Sequence, residues 1–332
     1  MRSGLLKILP VREVAKVAVD LPGRFSYVPD MSEFVALVEL GSNAVRCLLA
    51  SVTPGVGFQV LVEERVQTRL GSGSQGVLPT TAVRETVNAV RRFLRGVRRE
   101  YEPRMLAVAT AAVRDASNRG DLLGKLKRDV GVEVRILSGV EEAYLGARAA
   151  LWSLSLQHGT VADLGGGSLQ LTQVREHTIV SAASVPLGAV RTTARFFRSD
   201  PPTKQEMQAL RQEIQHHCET VLPTIAKSEE MVGMGGTIRT LGRMHLTVLD
   251  KQRSRQGLKL QYADVAALRG QLQGLSVRQR ARIPGLREER ADIIFAGAVV
   301  VEEVMRFGGY RTLTICTDGV RQGLLLHEAF DR

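Results

Sequence analysis

The amino-acid sequence predicts an α/β protein made of two similar lobes that face each other across a cleft. One observation is the length of 332 residues, which exceeds the roughly 100–200 residues of a typical domain. The other is a repeated pattern: an apolar strand ends in an acid and Leu-Gly, turns on small residues and returns as a second strand. The pattern occurs at Glu39–Asn43 and again at Asp163–Ser168. The interval between the copies is the size of a domain, which indicates an internal duplication.

The first copy opens a unit of three strands followed by a helix. Phe34 to Leu40 is an apolar run of strand length, and the small residues after it turn the chain into a returning strand. The helix is predicted because Val83, Val87 and Val90 recur at helical spacing while arginines occupy the other faces. The predicted elements are strands at 34–40, 44–52 and 58–69, a helix over 81–99, a strand at 105–110, a helix over 119–129 and a strand at 132–137.

The second half of the chain repeats the theme. The run from 160 to 174 again predicts a strand, a glycine turn and a returning strand. The elements predicted after it are a strand at 179–185, a helix over 207–221, a strand at 230–232, helices over 262–275 and 290–306, a strand at 312–316 and a closing helix. Residues 1–30 show no periodicity and contain several prolines, so we expect a loosely ordered extension, with a translation start at Met31 as one hypothesis.

Composition narrows the class of protein. The net charge is +11, and most of the excess lies between Lys251 and Arg290, which indicates an anionic partner; a solvated basic face is the alternative. Aromatic residues make up 5% and are not interleaved with the basic ones, so we expect no nucleic-acid partner. The longest apolar run, Ile293 to Val301, is far shorter than the about 20 residues that cross a bilayer. The chain therefore predicts no membrane segment.

The cysteines and the first residues point to a reducing compartment. The 3 cysteines are far apart and no zinc-binding spacing is present, so we expect reduced thiols and no zinc site. Charged residues interrupt the first twenty positions, which is not typical of a signal peptide. We therefore expect a cytoplasmic protein.

Glycine-rich turns follow several of the predicted strands. Glycine lets backbone N–H groups approach an anion together, so such loops are typical of phosphate sites, although any single one could be an ordinary turn. Because two of the loops occupy matched positions of the duplication, we predict phosphate binding. The predicted phosphate-binding residues are Gly41, Ser42, Asn43, Gly165, Gly166, Gly167, Ser168, Gly235, Gly236 and Thr237.

Two side chains outside the loops are candidates for chemistry. Ser138 and Glu141 fit a capping box at the start of a helix, which leaves Glu142 as an acid at the end of a stripe of apolar residues reaching Trp152. Partial burial would raise the pKa of Glu142 toward the range of a general base; favourable charge at a helix N-terminus is the alternative. Arg114 follows a strand, where it could grip a phosphate, or form a surface ion pair.

Several motifs, occurring in order between residues 34 and 328, resemble the exopolyphosphatase and guanosine pentaphosphate phosphohydrolase (Ppx/GppA) family of the actin, sugar kinase and Hsp70 superfamily. The motifs are Glu39–Asn43, Ala109–Asn118, Ser138–Ala143, Asp163–Ser168, Pro186–Arg191, Gly235–Thr237, Arg282–Leu286, Arg290–Asp292 and Asp318–Gly323. The resemblance implies two ribonuclease-H-like lobes with an active-site cleft between them. It implies residues 31–140 plus 319–332 for the N-terminal lobe and 141–318 for the second.

The resemblance also implies an activity and roles for residues. The family removes the terminal phosphate of inorganic polyphosphate or the 5′ γ-phosphate of pppGpp with magnesium, and a homodimer is expected. By position, Glu142 corresponds to the general base, Arg114 to the phosphate-gripping arginine and Asp163 to the acid beside metal and water. The implied magnesium ligands are Glu39, Asp163 and Gln170.

The sequence departs from the family pattern at two of these ligands. Glu39 stands where aspartate is usual, and Gln170 stands where the pattern has glutamate, so we expect weakened magnesium binding. A non-catalytic sensor of polyphosphate or guanosine penta- or tetraphosphate is therefore an alternative to a phosphoanhydride hydrolase. An ATP-dependent sugar kinase of the same superfamily is a weaker one, because Arg114–Asn118 and Ser138–Glu142 are features of the phosphatase branch.

Overall fold

The computed structural model describes residues 32–73, 76–222, 229–249 and 254–331. The expected extension at residues 1–30 lies outside this part of the chain. Within the described part, two β-sheets each carry helices on both faces. No helix of this part is long and apolar enough to cross a membrane.

The first sheet has the strand order β3-β2-β1-β4-β5. Side chains of its first strand, Glu33–Leu40, alternate between the two faces, as the period of two in a strand requires. Val38 packs toward the helices Thr80–Val97 and Arg119–Val130, whereas Leu37 packs toward the helices Gly139–Leu154 and Val320–Phe330. The strands are β1 (Glu33–Leu40), β2 (Val45–Thr53), β3 (Gly57–Val66), β4 (Arg104–Ala109) and β5 (Arg135–Ile136). The helices between Thr80 and Leu154 are α1 (Thr80–Val97), α2 (Ala111–Arg114), α3 (Arg119–Val130) and α4 (Gly139–Leu154).

The second sheet has the order β10-β11-β9-β6-β7-β8. Its strands are β6 (His158–Leu164), β7 (Leu169–Arg175), β8 (Thr178–Val185), β9 (Glu230–Gly235), β10 (Lys259–Gln261) and β11 (Thr312–Ile315). Its helices and the closing helix are α5 (Ala189–Phe196), α6 (Lys204–Val221), α7 (Gly236–Val248), α8 (Tyr262–Leu272), α9 (Val277–Arg280), α10 (Ile294–Gly308) and α11 (Val320–Phe330). Read from β8, the order matches that of the first sheet, with β10 added at the far edge. The predicted fold of two ribonuclease-H-like lobes is therefore confirmed.

Helix α4 lies between the lobes and contributes to both. Its Leu145 packs into the core of the first sheet, whereas Ala147 and Ala150 pack into a core of the second. Helix α11 packs on the first sheet through Val320 and Leu324, although it follows the second sheet in the chain. The boundaries 31–140 plus 319–332 and 141–318 stay a prediction.

The structure corrects some of the predicted local features. Helices α5 and α7 were not expected; α7 begins at Gly236, which was predicted to lie in a glycine-rich turn. Strand β5 is only two residues long, shorter than the predicted 132–137. The apolar stripe of α4 ends before Trp152, whose side chain is 53% exposed and lies against the ring of Phe330.

Candidate active site

A cleft of about 70 Å³ lies between the two sheets, at the carboxyl ends of β1, β6 and β9. It is small beside the 300–1,000 Å³ of ordinary ligand pockets, so it suits a group of phosphate size rather than a whole nucleotide. Every predicted phosphate-binding residue lines it, together with Glu39, Glu142 and Asp163. No aromatic side chain of the described residues is among its walls.

The two hairpin loops that enter the cleft have the same turn. Gly41 N donates to Ala44 O at 3.2 Å, and Gly165 N donates to Ser168 O at 3.0 Å. In both loops the next two N–H groups, of residues 42–43 and 166–167, donate to no acceptor within the described part of the chain. Unpaired N–H groups that line one cavity are typical of anion-binding sites.

The loops of the two lobes touch, which explains two of the glycines. A Cβ on Gly166 would lie 2.9 Å from Ser42 Cβ, and one on Gly167 would lie 2.7 Å from Ala111 Cβ. Any side chain at these positions would therefore push the lobes apart. The glycines allow the two sets of N–H groups to face one cavity.

Helix α7 brings a third set of donors. Its first residue, Gly236, lies at the cleft, and the first N–H groups of an α-helix have no partner inside the helix. The Arg290 guanidinium packs against Gly236 so closely that a Cβ there would lie 2.0 Å from Arg290 Nη2. A helix N-terminus and an arginine thus converge at this wall.

Glu142 is a buried acid at the start of α4. The capping box of Ser138 and Glu141 is present as predicted, so Glu141 is used for the helix and Glu142 faces the cleft. Glu142 is 6% exposed, and burial, aided by the nearby Asp163, raises its pKa to about 7. The carboxylate is therefore half-protonated near neutral pH, which suits a group that accepts a proton.

Arg114 is next to Glu142 rather than on the cleft wall. Its Nη1 donates to Glu142 Oε2 at 3.1 Å and to Leu137 O at 2.9 Å. These contacts orient the Glu142 carboxylate. The role of Arg114 in gripping phosphate stays a prediction.

The two acids at the ends of β1 and β6 differ in their partners. Glu39 is paired with Arg46 at 3.3 Å and with Arg321 at 3.2 Å. Asp163 has no hydrogen bond or ion pair to another described residue, and its pKa is raised to about 6 by burial and by the charge of Glu39. The carboxylate of Asp163 is thus the one whose oxygens are available in the cleft.

The predicted magnesium ligands do not fit a preformed site. Gln170 is buried behind Ser168: its Nε2 donates to Ser168 Oγ at 2.7 Å and Ser184 Oγ at 3.1 Å, and it does not line the cleft. Glu39 is held by its two arginines. Within the described ranges, no three His, Cys, Asp or Glu side chains come together as metal ligands do. We therefore derive no chemical step through a metal.

Sequence reasoning missed the arginines of the cleft, which are Arg46, Arg239, Arg290 and Arg321. Arg290 and Arg321 lie in motifs that carry the family resemblance, although no role was assigned to them. Arg46 had a local signal: the hairpin register pairs Glu39 with Arg46 across the strands, and this register follows from the turn. Arg239 comes from α7 and is held by a bond to Thr317 O at 2.6 Å. Burial lowers its pKa to about 10, so it stays charged.

A phosphate-sized cleft lined by arginines, by the acids Glu39, Glu142 and Asp163 and by N–H groups without a partner among the described residues is typical of a phosphatase on a two-lobe fold. A family model described as the Ppx/GppA phosphatase family matches residues 48–331. The chain belongs to this family and is an enzyme of the hydrolase class. The resemblance seen in the motifs is thereby confirmed.

Individual proteins are similar over most of their length. Exopolyphosphatase 2 of Mycobacterium tuberculosis is 31% identical over 313 residues, which cover 88% of this chain and 97% of that protein. The crystal structure of the Aquifex aeolicus Ppx/GppA family member has a TM-score of 0.74 and 26% identity, covering 90% of this chain and 97% of that one. An exopolyphosphatase structure from Cytophaga hutchinsonii has a TM-score of 0.83, with 22% identity over 90% and 98% of the two chains, and supports the fold.

Proposed function

We propose that the chain hydrolyses the terminal phosphoanhydride bond of inorganic polyphosphate, with Glu142 as general base. The observation that carries the proposal is the buried Glu142 beside a cleft in which the N–H groups of residues 42–43 and 166–167 have no acceptor among the described residues. The exopolyphosphatase relatives support the choice of substrate. A phosphoryl group in this cleft would satisfy donors that the described residues leave unpaired.

The glycine loops and the cleft arginines bind the terminal phosphoryl group. In phosphoryl transfer the transition state spreads negative charge over the equatorial oxygens, so fixed donors around them lower the barrier. The N–H groups of residues 42–43 and 166–167 and the start of α7 supply such donors. Arg239 and Arg290 add positive charge from the second lobe.

The chemical step needs one water and one proton acceptor. The water oxygen attacks the terminal phosphorus in line with the bridging oxygen, Glu142 accepts the proton, and the bridging P–O bond breaks. Inorganic phosphate and a chain shorter by one unit leave, the electron pair of the broken bond staying on the oxygen of the shortened chain. Asp163 faces the same cleft and orients the water.

A purified-protein assay tests the proposal. Phosphate release from polyphosphate should fall by roughly 10²–10⁴-fold in Glu142→Gln, because the amide cannot accept the proton. Glu141→Gln is the matched control: glutamine also completes a capping box, so this variant should keep wild-type turnover. Equal losses in both variants would contradict the role of Glu142.

Glu39 and Gln170 favour one second candidate, a sensor that binds polyphosphate without turnover. Both residues replace usual metal ligands and both are engaged by other side chains. Tight polyphosphate binding by the wild type with no phosphate release, with and without Mg²⁺, would support this reading. A magnesium requirement, action on pppGpp, a homodimer and a cytoplasmic location stay predictions.

A further inference from the structure

Two buried donors at or near the first glycine loop lack acceptors among the described residues. Asn43 Nδ2 and Arg65 Nη2 are both buried and have no hydrogen-bond partner in the described residues. Asn43 belongs to the first glycine loop, and Arg65 lies near the end of β3. A buried N–H donor without an acceptor lowers the stability of the fold. Two such donors close to the phosphate loop indicate that an anion binds there when the enzyme holds its substrate.

The contacts of Glu289 place these groups together. Arg65 Nη1 donates to Glu289 Oε1 at 2.9 Å, and Gln67 Nε2 donates to both Glu289 O at 2.8 Å and Asn43 Oδ1 at 3.3 Å. Arg287 approaches the same Glu289 carboxylate at 3.8 Å. One network therefore runs from the glycine loop to the outside of the second lobe.

Positive charge exceeds negative charge along this network. Arg290 is 9% exposed, and no hydrogen bond or ion pair joins its side chain to another described residue. Glu289 pairs with both Arg65 and Arg287, and its charge also acts on Arg290. Asp292 of the same segment is paired with Arg69. Burial and the neighbouring arginines lower the pKa values of Arg65 and Arg290, the latter to about 9.

The excess charge continues outward to Arg243. Its Nη1 contacts Gly285 O at 3.5 Å, and the charges of Arg287 and Arg255 act on it. Arg287 and Arg290 belong to the basic stretch from Lys251 to Arg290, and Arg290 lines the cleft, so part of the surplus seen in the sequence borders the cleft. We call Arg65, Arg287 and Arg243 the outer arginine strip.

We propose that Asn43, Arg65 and Arg290 hold the phosphate units behind the terminal one, and that Arg287 and Arg243 hold the chain farther out. The inference rests on the proposed function and narrows its substrate to inorganic polyphosphate longer than a few units. A nucleoside polyphosphate is not favoured, because no aromatic side chain lines the described cleft to stack on a base.

The test uses the full chain and three phosphate compounds: tripolyphosphate, a long-chain polyphosphate and pppGpp. Arg287→Gln and Arg243→Gln should each weaken binding of the long chain by roughly tenfold and change tripolyphosphate binding by less than about twofold. Arg65→Gln should weaken both, since it lies nearer the terminal phosphate. The salt dependence of long-chain binding should fall by about one ion for each arginine removed. A variant with one arginine fewer displaces about one counterion fewer from the polyphosphate.

The control is Arg84→Gln, which removes the same charge from an exposed position of α1 that has no ion pair within the described residues. Arg65→Lys keeps the charge and should bind the long chain within about threefold of wild type, which separates charge from a folding defect. Strip variants that match Arg84→Gln for the long chain would overturn the inference. So would strip variants that lose pppGpp binding more than polyphosphate binding.

Binding and turnover separate the two proposals. If the wild type releases no phosphate from any compound, the hydrolase proposal fails, and direct binding of the long chain still decides the role of the strip. If turnover is normal and the strip variants leave KM for long chains unchanged, the strip proposal fails and the hydrolase proposal stands.

Discussion

The hairpin of β1 and β2 places Arg46 opposite Glu39, whereas the hairpin of β6 and β7 places Gln170 opposite Asp163. Both hairpins have the same turn and the same position in their lobes. In the first, the acid is neutralised by Arg46 and Arg321; in the second, the acid keeps its oxygens free and has a raised pKa. The duplicated positions have thus diverged: Glu39 holds two arginines in place, whereas Asp163 has no hydrogen bond or ion pair among the described residues.

Removing each acid should therefore have opposite effects on stability. Asp163→Asn should lower turnover by roughly 10²–10³-fold and raise the free energy of unfolding at pH 8 by about 1–3 kcal/mol, because the buried charge is gone. Glu39→Gln should lower the free energy of unfolding by about 1–3 kcal/mol, because Arg46 and Arg321 lose a charged partner. Denaturant unfolding and phosphate release measure both.

The sign of the Asp163 effect follows from linkage. Burial raises the pKa of Asp163 from 3.8 in the unfolded chain to about 6 in the folded one. The protonated carboxyl therefore stabilises the fold fully below pH 3.8, and this stabilisation is lost as the pH rises through 6. The advantage of Asp163→Asn should therefore vanish below about pH 4. Destabilisation by both variants at pH 8 would contradict the division of roles.

The pH dependence of turnover gives a second measurement. Glu142 accepts the proton only when ionised, so kcat/KM should rise about tenfold per pH unit up to about pH 7 and then level off. Arg114→Gln removes a contact that lowers the Glu142 pKa, so its profile should move to higher pH. A flat wild-type profile from pH 5 to 8, with the reaction step rate-limiting, would exclude Glu142 as the base.

The smallest expected effect is a change in Tm on adding Mg²⁺, after a second carboxylate is introduced into the hairpin of β6 and β7. Gln170→Glu places a carboxylate opposite Asp163, which should cost about 1–3 kcal/mol of stability without metal. Magnesium should restore this stability, so thermal unfolding with increasing Mg²⁺ should raise the Tm of Gln170→Glu more than that of the wild type. Gln170→Met, which adds no charge, is the control, and an equal Mg²⁺ response in all three would contradict the argument.

Much of the site was predictable because it is local. The turn at Gly41, its repeat at Gly165 and the capping box that leaves Glu142 facing inward all follow from a few consecutive residues. The place of Arg239 in the cleft was not predictable, because it reaches the site from a distant segment through packing. Trp152 was predicted on the apolar stripe of α4 but is exposed. Helical spacing predicts which residues share a face of a helix, but not how far along the helix other elements cover that face.

Helix α11 has a consequence for how the molecule is made. Its Val320 and Leu324 complete the core of the first sheet, and its Arg321 holds Glu39. During synthesis from the N-terminus, the first lobe thus waits with an unfinished core until the whole second lobe has left the ribosome. Partly synthesised chains cannot assemble the cleft, and hydrolysis begins only once residues 320–330 have emerged and docked.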